Sequence, residues 1–161
     1  MGVLAVCGGE KTRIKPFTLG VAIIGEEERR RVKEVLDSGM LSGFIAQAGE
    51  RFLGGKQVKE LESLINQYFG SAHAVTCNSA TAALHMAVAA IGIAPGDEVI
   101  VTPYSMCASA TAILMQGGIP VFADIDCDGF GLDPVAIEKA LTPRTKAILV
   151  VHLFGRPANM E

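Results

Sequence analysis

The chain has 161 residues, of which 50% are hydrophobic and 19% are charged, and its formal net charge is −3. A chain of this length and hydrophobic content can bury one ordinary domain core, which excludes an intrinsically disordered protein. The small negative charge argues against a nucleic-acid-binding protein, because the one dense basic run, at residues 29–31, lies among glutamates.

The composition also predicts a soluble cytoplasmic protein that does not bind a membrane. No apolar segment reaches the ~18 uninterrupted residues of a membrane helix, and the N-terminus lacks the basic start and long apolar core of a signal peptide. The cysteines are widely separated and include no C-x-x-C pair, which favours free thiols over disulfides or zinc ligands. They are Cys7, Cys77, Cys107 and Cys127.

Residues 1–55 are predicted to be a lead-in to the main domain. Within them, 3–9 have the pattern of a short strand and 10–24 are irregular. Residues 26–38 predict a helix, because acidic residues fill the first turn and a glycine follows the last. Residues 39–55 contain five glycines and little periodicity. A loop of that length is usually functional or ordered by a partner.

Residues 56–161 alternate between predicted helices and strands. Apolar residues form one stripe between Gln57 and Phe69, which predicts an amphipathic helix. The pattern then predicts strand 74–77, helix 80–92, strand 98–102, helix 106–116, strand 120–125, helix 133–141 and strand 146–152. Short apolar strands alternating with helices predict an α/β fold, a mostly parallel sheet with helices on both faces.

The turn that leads into the predicted helix 80–92 is a candidate phosphate site. Asn78 or Ser79 would cap the helix, whose first N–H groups have no intrahelical acceptors and lie at the positive end of its dipole. Ala80, Thr81 and Ala82 are small enough to let an anion approach the backbone. The alternative is a capped core helix with no ligand.

A second segment is expected at the same edge of the sheet. Residues 102–106 follow a predicted strand and precede a helix. Tyr104 or Met106 would cover a flat ligand there, whereas the alternative for Met106 is to fill the core. His152 ends a predicted strand and is retained as a further site candidate. His85 falls inside a helix and is expected to be packed or hydrogen-bonded locally.

Motifs for other chemistries are absent or incomplete. Residues 124–129 (D-I-D-C-D-G) mimic the start of an EF-hand loop, but Val135 occupies the position that needs glutamate, so a solvated turn is favoured. The three histidines have no metal-ligand spacing, and we predict no metal site. Walker, nucleophile-elbow and dinucleotide-binding patterns do not occur.

Several segments occur in a recognisable order along almost the whole chain. They are G-G-K-Q-V at 54–58, Y-F-G at 68–70, N-S-A-T-A-A-L-H at 78–85, P-G-D-E-V-I-V at 95–101, P-Y-S at 103–105, G-I-P-V-F-A-D-I-D at 118–126, T-P-R-T-K-A-I at 142–148 and H-L-F-G at 152–155. Together they resemble the DegT/StrS family of aminotransferases that depend on pyridoxal 5'-phosphate (PLP). That family acts mostly on nucleotide-linked keto-sugars or cyclitols.

The resemblance implies a fold and a cofactor site. The chain would be part of the large PLP-binding domain of a fold-type-I aminotransferase. Thr81 and Ala82, with Ser79 and Ala80 adjoining, would hold the cofactor phosphate. Met106 would cover the pyridine ring, at a position that is often aromatic in the family. The Schiff-base lysine and the aspartate that pairs with the pyridine nitrogen are expected beyond Glu161, so no catalytic residue is assigned within the chain.

The resemblance also implies an incomplete chain. We expect an N-terminal lead-in at 1–55 and a PLP-binding domain at 56–161 that is cut short and inactive alone. The complete enzyme would transfer an amino group from an amino acid to a keto-sugar or cyclitol, in nucleotide-sugar biosynthesis. It would be a homodimer whose 39–55 loop reaches the partner subunit. The alternatives are a non-catalytic phosphate or nucleotide-sugar binding module, and a family member that performs dehydration.

Overall fold

A computed structural model describes residues 2–15 and 23–160. The chain divides into two compact units, Met1–Glu60 and Leu61–Glu161. The predicted division after residue 55 remains a prediction. The helices are α1 (Glu26–Asp37), α2 (Lys56–Phe69), α3 (Ala80–Ala90), α4 (Ala108–Met115) and α5 (Pro134–Ala140); the strands are β1 (Glu98–Val101), β2 (Ile119–Phe122) and β3 (Thr145–Leu149).

In the first unit, α1 carries a set of ion pairs between charged side chains. Its Glu27 accepts hydrogen bonds from Arg30 and Arg31, and these guanidinium groups hold the pKa of the Glu27 carboxyl below its usual range. Arg31 also lies 3.1 Å from Glu60 of α2. All four side chains are substantially exposed, so solvent screens these pairs and they contribute little net stability.

Residues 3–9 do not form the predicted strand. They contain a 3-10 turn, Ala5–Cys7, which Gly8 ends with a φ of 90°. The N–H of Gly8 donates to the first carbonyl of that turn at 3.1 Å. The backbone groups therefore bond locally rather than to a neighbouring strand. Of the predicted irregular segment 10–24, residues 16–22 lie outside the described residues and the remainder is irregular.

The glycine-rich segment 39–55 is a loop that folds back on itself. The N–H of Ile45 donates to the carbonyl of Arg51 at 3.1 Å, and the rings of Phe44 and Phe52 lie 6.3 Å apart. At the base of the loop the backbones of Gly43 and Gly55 approach closely. A Cβ on Gly43 would lie 2.3 Å from the Cα of Gly55, so a side chain there would force the backbone apart.

The second unit contains a parallel three-stranded sheet in the order β2-β1-β3. Every residue of the central strand β1 is buried. Val99 and Val101 contact one hydrophobic cluster, which includes Val88 of α3 and Ile113 of α4. Ile100 points to the opposite cluster, where residues of α5 pack. The predicted α/β fold with helices on both faces of a parallel sheet is confirmed.

Residues 74–77 do not form the predicted strand that should precede α3. A strand needs a neighbour with which to exchange backbone hydrogen bonds, and the described part of the chain places none beside this segment. The side chain of Glu62 supplies part of the hydrogen bonding that a neighbouring strand would provide. The Glu62 carboxylate accepts from the N–H of Thr76 at 2.8 Å and from its hydroxyl at 3.0 Å.

The remaining strands are predicted at the right places but end early. The predicted strands 120–125 and 146–152 stop at Phe122 and Leu149 in the structure. Both of these residues pair with Val101, the last residue of the central strand. Beyond Val101 the described residues offer neither edge strand a further partner in the sheet, and the chain forms loops at the carboxyl end of the strands.

A buried carboxylate joins two segments at the amino end of the strands. Glu98, with 3% of its surface exposed, accepts hydrogen bonds from the Thr142 hydroxyl and from the Arg144 guanidinium at 2.9 Å. The Thr142 hydroxyl, followed by the Arg144 guanidinium, holds the pKa of the Glu98 carboxyl below its usual range. This network fixes the loop before β3 to the start of β1.

The four cysteines are exposed free thiols. Within residues 2–15 and 23–160, no helix combines the length and apolar character needed to span a membrane.

Candidate functional site

The start of α3 lies toward the carboxyl ends of the strands. A Cβ on Gly118, just before β2, would lie 2.8 Å from a methyl group of Ile93, which follows α3. The end of α3 is therefore near the amino end of the sheet. Because α3 packs along the sheet face through Leu84 and Val88, its first turn lies near the other end of the strands, their carboxyl end. Ligands of open α/β sheets bind at that end.

Ser79 is the residue that caps α3. Its backbone is extended, and its hydroxyl accepts a hydrogen bond from the N–H of Ala82 at 3.1 Å. The N–H groups of Ala80 and Thr81 have no intrahelical acceptor, and the described residues supply no other. Ser79, Ala80 and Thr81 are exposed, so a ligand can reach these donors. Asn78 does not cap the helix.

The electrostatics of this helix start favour an anion. α3 has 11 residues, and no acidic side chain lies in its first turn. The positive end of its dipole is thus not neutralised by a carboxylate. The start of α3 can therefore accept a phosphate group through backbone N–H donors.

The loop after β1 is ordered by short hydrogen bonds. The hydroxyl of Thr102, which is buried, accepts from the N–H of Tyr104 at 3.0 Å, and the Ser105 and Ser109 hydroxyls lie 3.1 Å apart. Met106 is 76% exposed and does not fill the core. The structure leaves its side chain accessible for covering a ligand.

Three aromatic rings lie close together at the carboxyl end of the strands. The ring of Tyr104 lies 6.3 Å from that of Phe130, in the loop after β2, and 6.4 Å from that of Phe154, in the loop after β3. Phe130 and Phe154 both have positive φ values, 60° and 54°, which residues other than glycine rarely adopt. Sequence reasoning assigned neither phenylalanine to the site. Phe154 belongs to the H-L-F-G segment that supports the family resemblance, but no local pattern indicates that Phe130 and Phe154 both contact Tyr104.

The segment that resembles the start of an EF-hand is a closed turn. The two carboxylate oxygens of Asp126 accept from the N–H groups of Asp128 and Gly129, each at 2.8 Å. The carbonyl of Asp126 accepts from the N–H of Phe130 at 3.0 Å. Within the described ranges, no three His, Cys, Asp or Glu side chains are placed to hold a metal ion together.

The two candidate histidines have different surroundings. His85 is half-buried, and its Nε2 accepts a hydrogen bond from the side-chain amide of Gln116 at 2.8 Å, which links α3 to the end of α4. This confirms a local hydrogen-bond role for His85. His152 is exposed at the carboxyl edge, and its Nδ1 accepts from the N–H of Ala158 at 3.0 Å.

Comparison with known proteins gives a consistent assignment. Residues 22–161 match the sequence profile of the DegT/DnrJ/EryC1/StrS aminotransferase family. The chain is 41% identical over 152 residues to the spore coat polysaccharide biosynthesis protein SpsC of Bacillus subtilis, covering 94% of this chain and 36% of that protein. It is 39% identical over 158 residues to L-glutamine:2-deoxy-scyllo-inosose aminotransferase of Streptomyces paromomycinus, covering 98% of this chain and 36% of that protein.

A solved structure shows the same fold. GDP-4-keto-6-deoxymannose-3-dehydratase with a trapped PLP–glutamate geminal diamine superposes with a TM-score of 0.76 at 29% identity. The match covers 89% of this chain and 36% of that one. The chain thus spans about a third of the length of the proteins that it matches.

Proposed function

The chain belongs to the DegT/DnrJ/EryC1/StrS aminotransferase family, and we propose that it supplies the cofactor-phosphate site of a PLP-dependent enzyme. That enzyme transfers an amino group from an amino acid to a keto-sugar or cyclitol. The observation that carries the proposal is the exposed start of α3, where Ser79 caps the helix and the described part of the chain supplies no acceptor for the N–H groups of Ala80 and Thr81.

The residues at the start of α3 fit a phosphate ester. The free N–H groups of Ala80 and Thr81 and the hydroxyl of Thr81 would donate to phosphate oxygens. The small side chains of Ala80 and Ala82 leave the backbone accessible. The absence of a first-turn carboxylate removes the charge that would repel the dianion.

The loop after β1 fits the ring of the same cofactor. Met106, exposed at this edge, would lie against the pyridine ring through its polarisable thioether. When bound, PLP supplies an electron-withdrawing ring that stabilises negative charge on the carbon bearing the amino group. The protein must place a carboxylate at the ring nitrogen and a lysine at the aldehyde group of the cofactor.

We propose that this lysine, and an aspartate that pairs with the ring nitrogen, belong to a part of the polypeptide that follows Glu161. The relatives are about three times as long as the part of them that this chain matches. The lysine would hold the cofactor through its aldehyde group and would act as the proton-transfer base of the reaction. On this proposal, residues 1–161 bind the phosphate ester but do not catalyse amino transfer alone.

The names of the matched proteins suggest the substrate classes. One is a glutamine:inosose aminotransferase and another acts on a GDP-linked keto-sugar. We therefore propose glutamine or glutamate as amino donor and a cyclitol ketone or nucleotide-linked keto-sugar as acceptor. We also propose a cytoplasmic homodimer, in which the 39–55 loop contacts the partner subunit.

Dehydration is the second candidate, because the superposed structure is that of a 3-dehydratase. Both reactions would use the same phosphate site at the start of α3. They differ in the product. An aminotransferase converts the acceptor ketone to an amine, whereas a dehydratase releases water from the sugar and leaves no amino group on it.

The first test is cofactor binding by the full-length gene product. We expect pyridoxal phosphate to bind at least about tenfold more tightly than pyridoxal, because charge-assisted hydrogen bonds to the phosphate are lost with the latter. Thr81→Val, which keeps the shape of the side chain, should reduce this preference. Equal binding of the two compounds would contradict the proposed phosphate site. Product analysis with glutamine and a keto-sugar then separates amino transfer from dehydration.

A further inference from the structure

The imidazole of His152 is fixed in one tautomer. The N–H of Ala158 donates a hydrogen bond to Nδ1 of His152 at 3.0 Å. A ring nitrogen that accepts a hydrogen bond carries no proton, so the neutral ring has its proton on Nε2. His152 therefore presents an N–H donor on the side of the ring away from Ala158.

The segment that holds this tautomer is anchored to the loop after β2. Ala158 is only 9% exposed, and a Cβ on Gly131 would lie 2.9 Å from its methyl group. Arg156 donates a hydrogen bond to the carbonyl of Asp128. Arg156 and Ala158 thus attach this segment to the neighbouring loop, and the hydrogen bond from Ala158 orients the ring of His152.

The Nε2 donor lies at the edge where the ligand would bind. His152 follows the end of β3, at the carboxyl end of the sheet, next to the loop after β1. Two residues later, the ring of Phe154 lies 6.4 Å from that of Tyr104. The His152 side chain is exposed, and the residues that the structure describes provide no acceptor for Nε2.

We propose that His152 binds the ligand of this site by donating a hydrogen bond from Nε2 to a ligand oxygen. The inference rests on the proposed function, which places a PLP-dependent reaction at this edge. Two ligand oxygens have the required chemistry: the phenolic oxygen of the cofactor ring and an oxygen of the amino acid or keto substrate. A histidine with only a structural role would need Nδ1 alone.

Two substitutions separate the two nitrogens. In His152→Asn the amide oxygen occupies nearly the position of Nδ1, so it keeps an acceptor for Ala158 but has no donor at the position of Nε2. In His152→Gln the amide nitrogen approximates Nε2, so it keeps the donor and loses the acceptor. His152→Ala lacks both groups, and His73→Asn, at an exposed histidine elsewhere, is the control.

The experiment measures the Kd for PLP by absorbance, the KM for glutamate or glutamine, and Tm for each full-length variant. We expect His152→Asn to keep its Tm and to weaken ligand binding by roughly three- to tenfold, the usual effect of one lost hydrogen bond. We expect His152→Gln to lower Tm and to bind ligand better than His152→Ala. A raised Kd for PLP identifies the cofactor oxygen; a raised KM with unchanged Kd identifies a substrate oxygen.

The results that would contradict the role of His152 differ from those that would contradict the proposed function. Normal binding of both ligands by a folded His152→Asn would overturn this inference alone. If His152→Asn does not fold, equal binding by His152→Gln and His152→Ala would overturn it. If the wild-type protein binds no PLP, the proposed function fails and this inference fails with it.

Discussion

The hydroxyl of Ser79 accepts a hydrogen bond from the N–H of Ala82 at 3.1 Å. This bond satisfies one of the N–H groups at the start of α3 and leaves those of Ala80 and Thr81 for another acceptor. One side chain therefore stabilises the helix and also defines which donors remain at the candidate phosphate site. The two roles can be separated by substitution.

Replacing Ser79 by Asp should keep the cap and remove phosphate binding. Aspartate caps helices as well as serine does, so the free energy of unfolding should change little. Its carboxylate would repel a phosphate at the same helix start, and we expect PLP affinity to fall by at least about tenfold. Ser79→Ala should instead cost about 1 kcal/mol of stability through loss of the cap. Chemical denaturation and PLP titration measure the two effects.

The matched control is Asp133→Ser at the start of α5, where Asp133 accepts from the N–H of Val135. This change also exchanges a serine and an aspartate at a helix cap, and it should leave PLP binding unaltered. Wild-type PLP affinity in a folded Ser79→Asp protein would show that the phosphate binds elsewhere.

Met106→Phe should strengthen cofactor binding. Met106 is 76% exposed, so a larger ring can be accommodated without disturbing the core. If this side chain covers the pyridine ring, an aromatic ring should stack on it more favourably, and PLP affinity should rise by several-fold. Met115→Phe changes a second exposed methionine, at the end of α4, and should have no effect. Weaker PLP binding by Met106→Phe would argue against this role.

Local sequence patterns predicted the parts of the molecule that are decided locally. The apolar run at β1 and the small polar residue before α3 specify a buried strand and a cap, and both occur. The predicted strand at 74–77 is wrong because strand formation depends on a neighbouring strand rather than on the run itself. The contact between Tyr104 and Phe154 joins residues distant in the chain, and no local pattern records it.

Glu98 should make stability depend on acidic pH. Hydrogen bonds from Thr142 and Arg144 lower the pKa of the folded carboxyl below the ordinary value of about 4.5. The folded state therefore binds the proton less tightly than the unfolded state. The stabilisation is complete above pH 4.5 and is lost as pH falls through the lower pKa of the folded state. We expect Tm measured in that range to fall faster for the wild type than for Glu98→Gln.

At neutral pH, Glu98→Gln should lower Tm by several degrees, because a buried acceptor of charge-assisted hydrogen bonds is replaced by a neutral amide. The difference from the wild type should shrink as the pH falls below 4.5. Glu138→Gln alters an exposed glutamate of α5 and should change neither Tm nor its pH dependence. A constant difference between Glu98→Gln and the wild type at all pH values would contradict the assigned network.

Gly131 and Ala158 should compensate for one another, because their contact anchors the segment that holds His152. A Cβ on Gly131 would lie 2.9 Å from the Cβ of Ala158, closer than two methyl groups can approach. Gly131→Ala should therefore cost roughly 1–3 kcal/mol through overpacking. Ala158→Gly removes the opposing methyl group, so the double variant should be more stable than the sum of the single effects by at least about 0.5 kcal/mol.

Gly118→Ala provides the control for this coupling, since its added methyl group would meet Ile93 and Ile113 at 2.8 and 3.0 Å instead of Ala158. It should be destabilising by a similar amount, and its combination with Ala158→Gly should be additive. Denaturant unfolding of the single and double variants gives the coupling energies. Because Ala158 also donates to Nδ1 of His152, overpacking at Gly131 should weaken binding of the ligand that His152 contacts, whether PLP or substrate, and the double variant should recover part of it. Full additivity of Gly131→Ala and Ala158→Gly would show that the two loops are not held together by this contact.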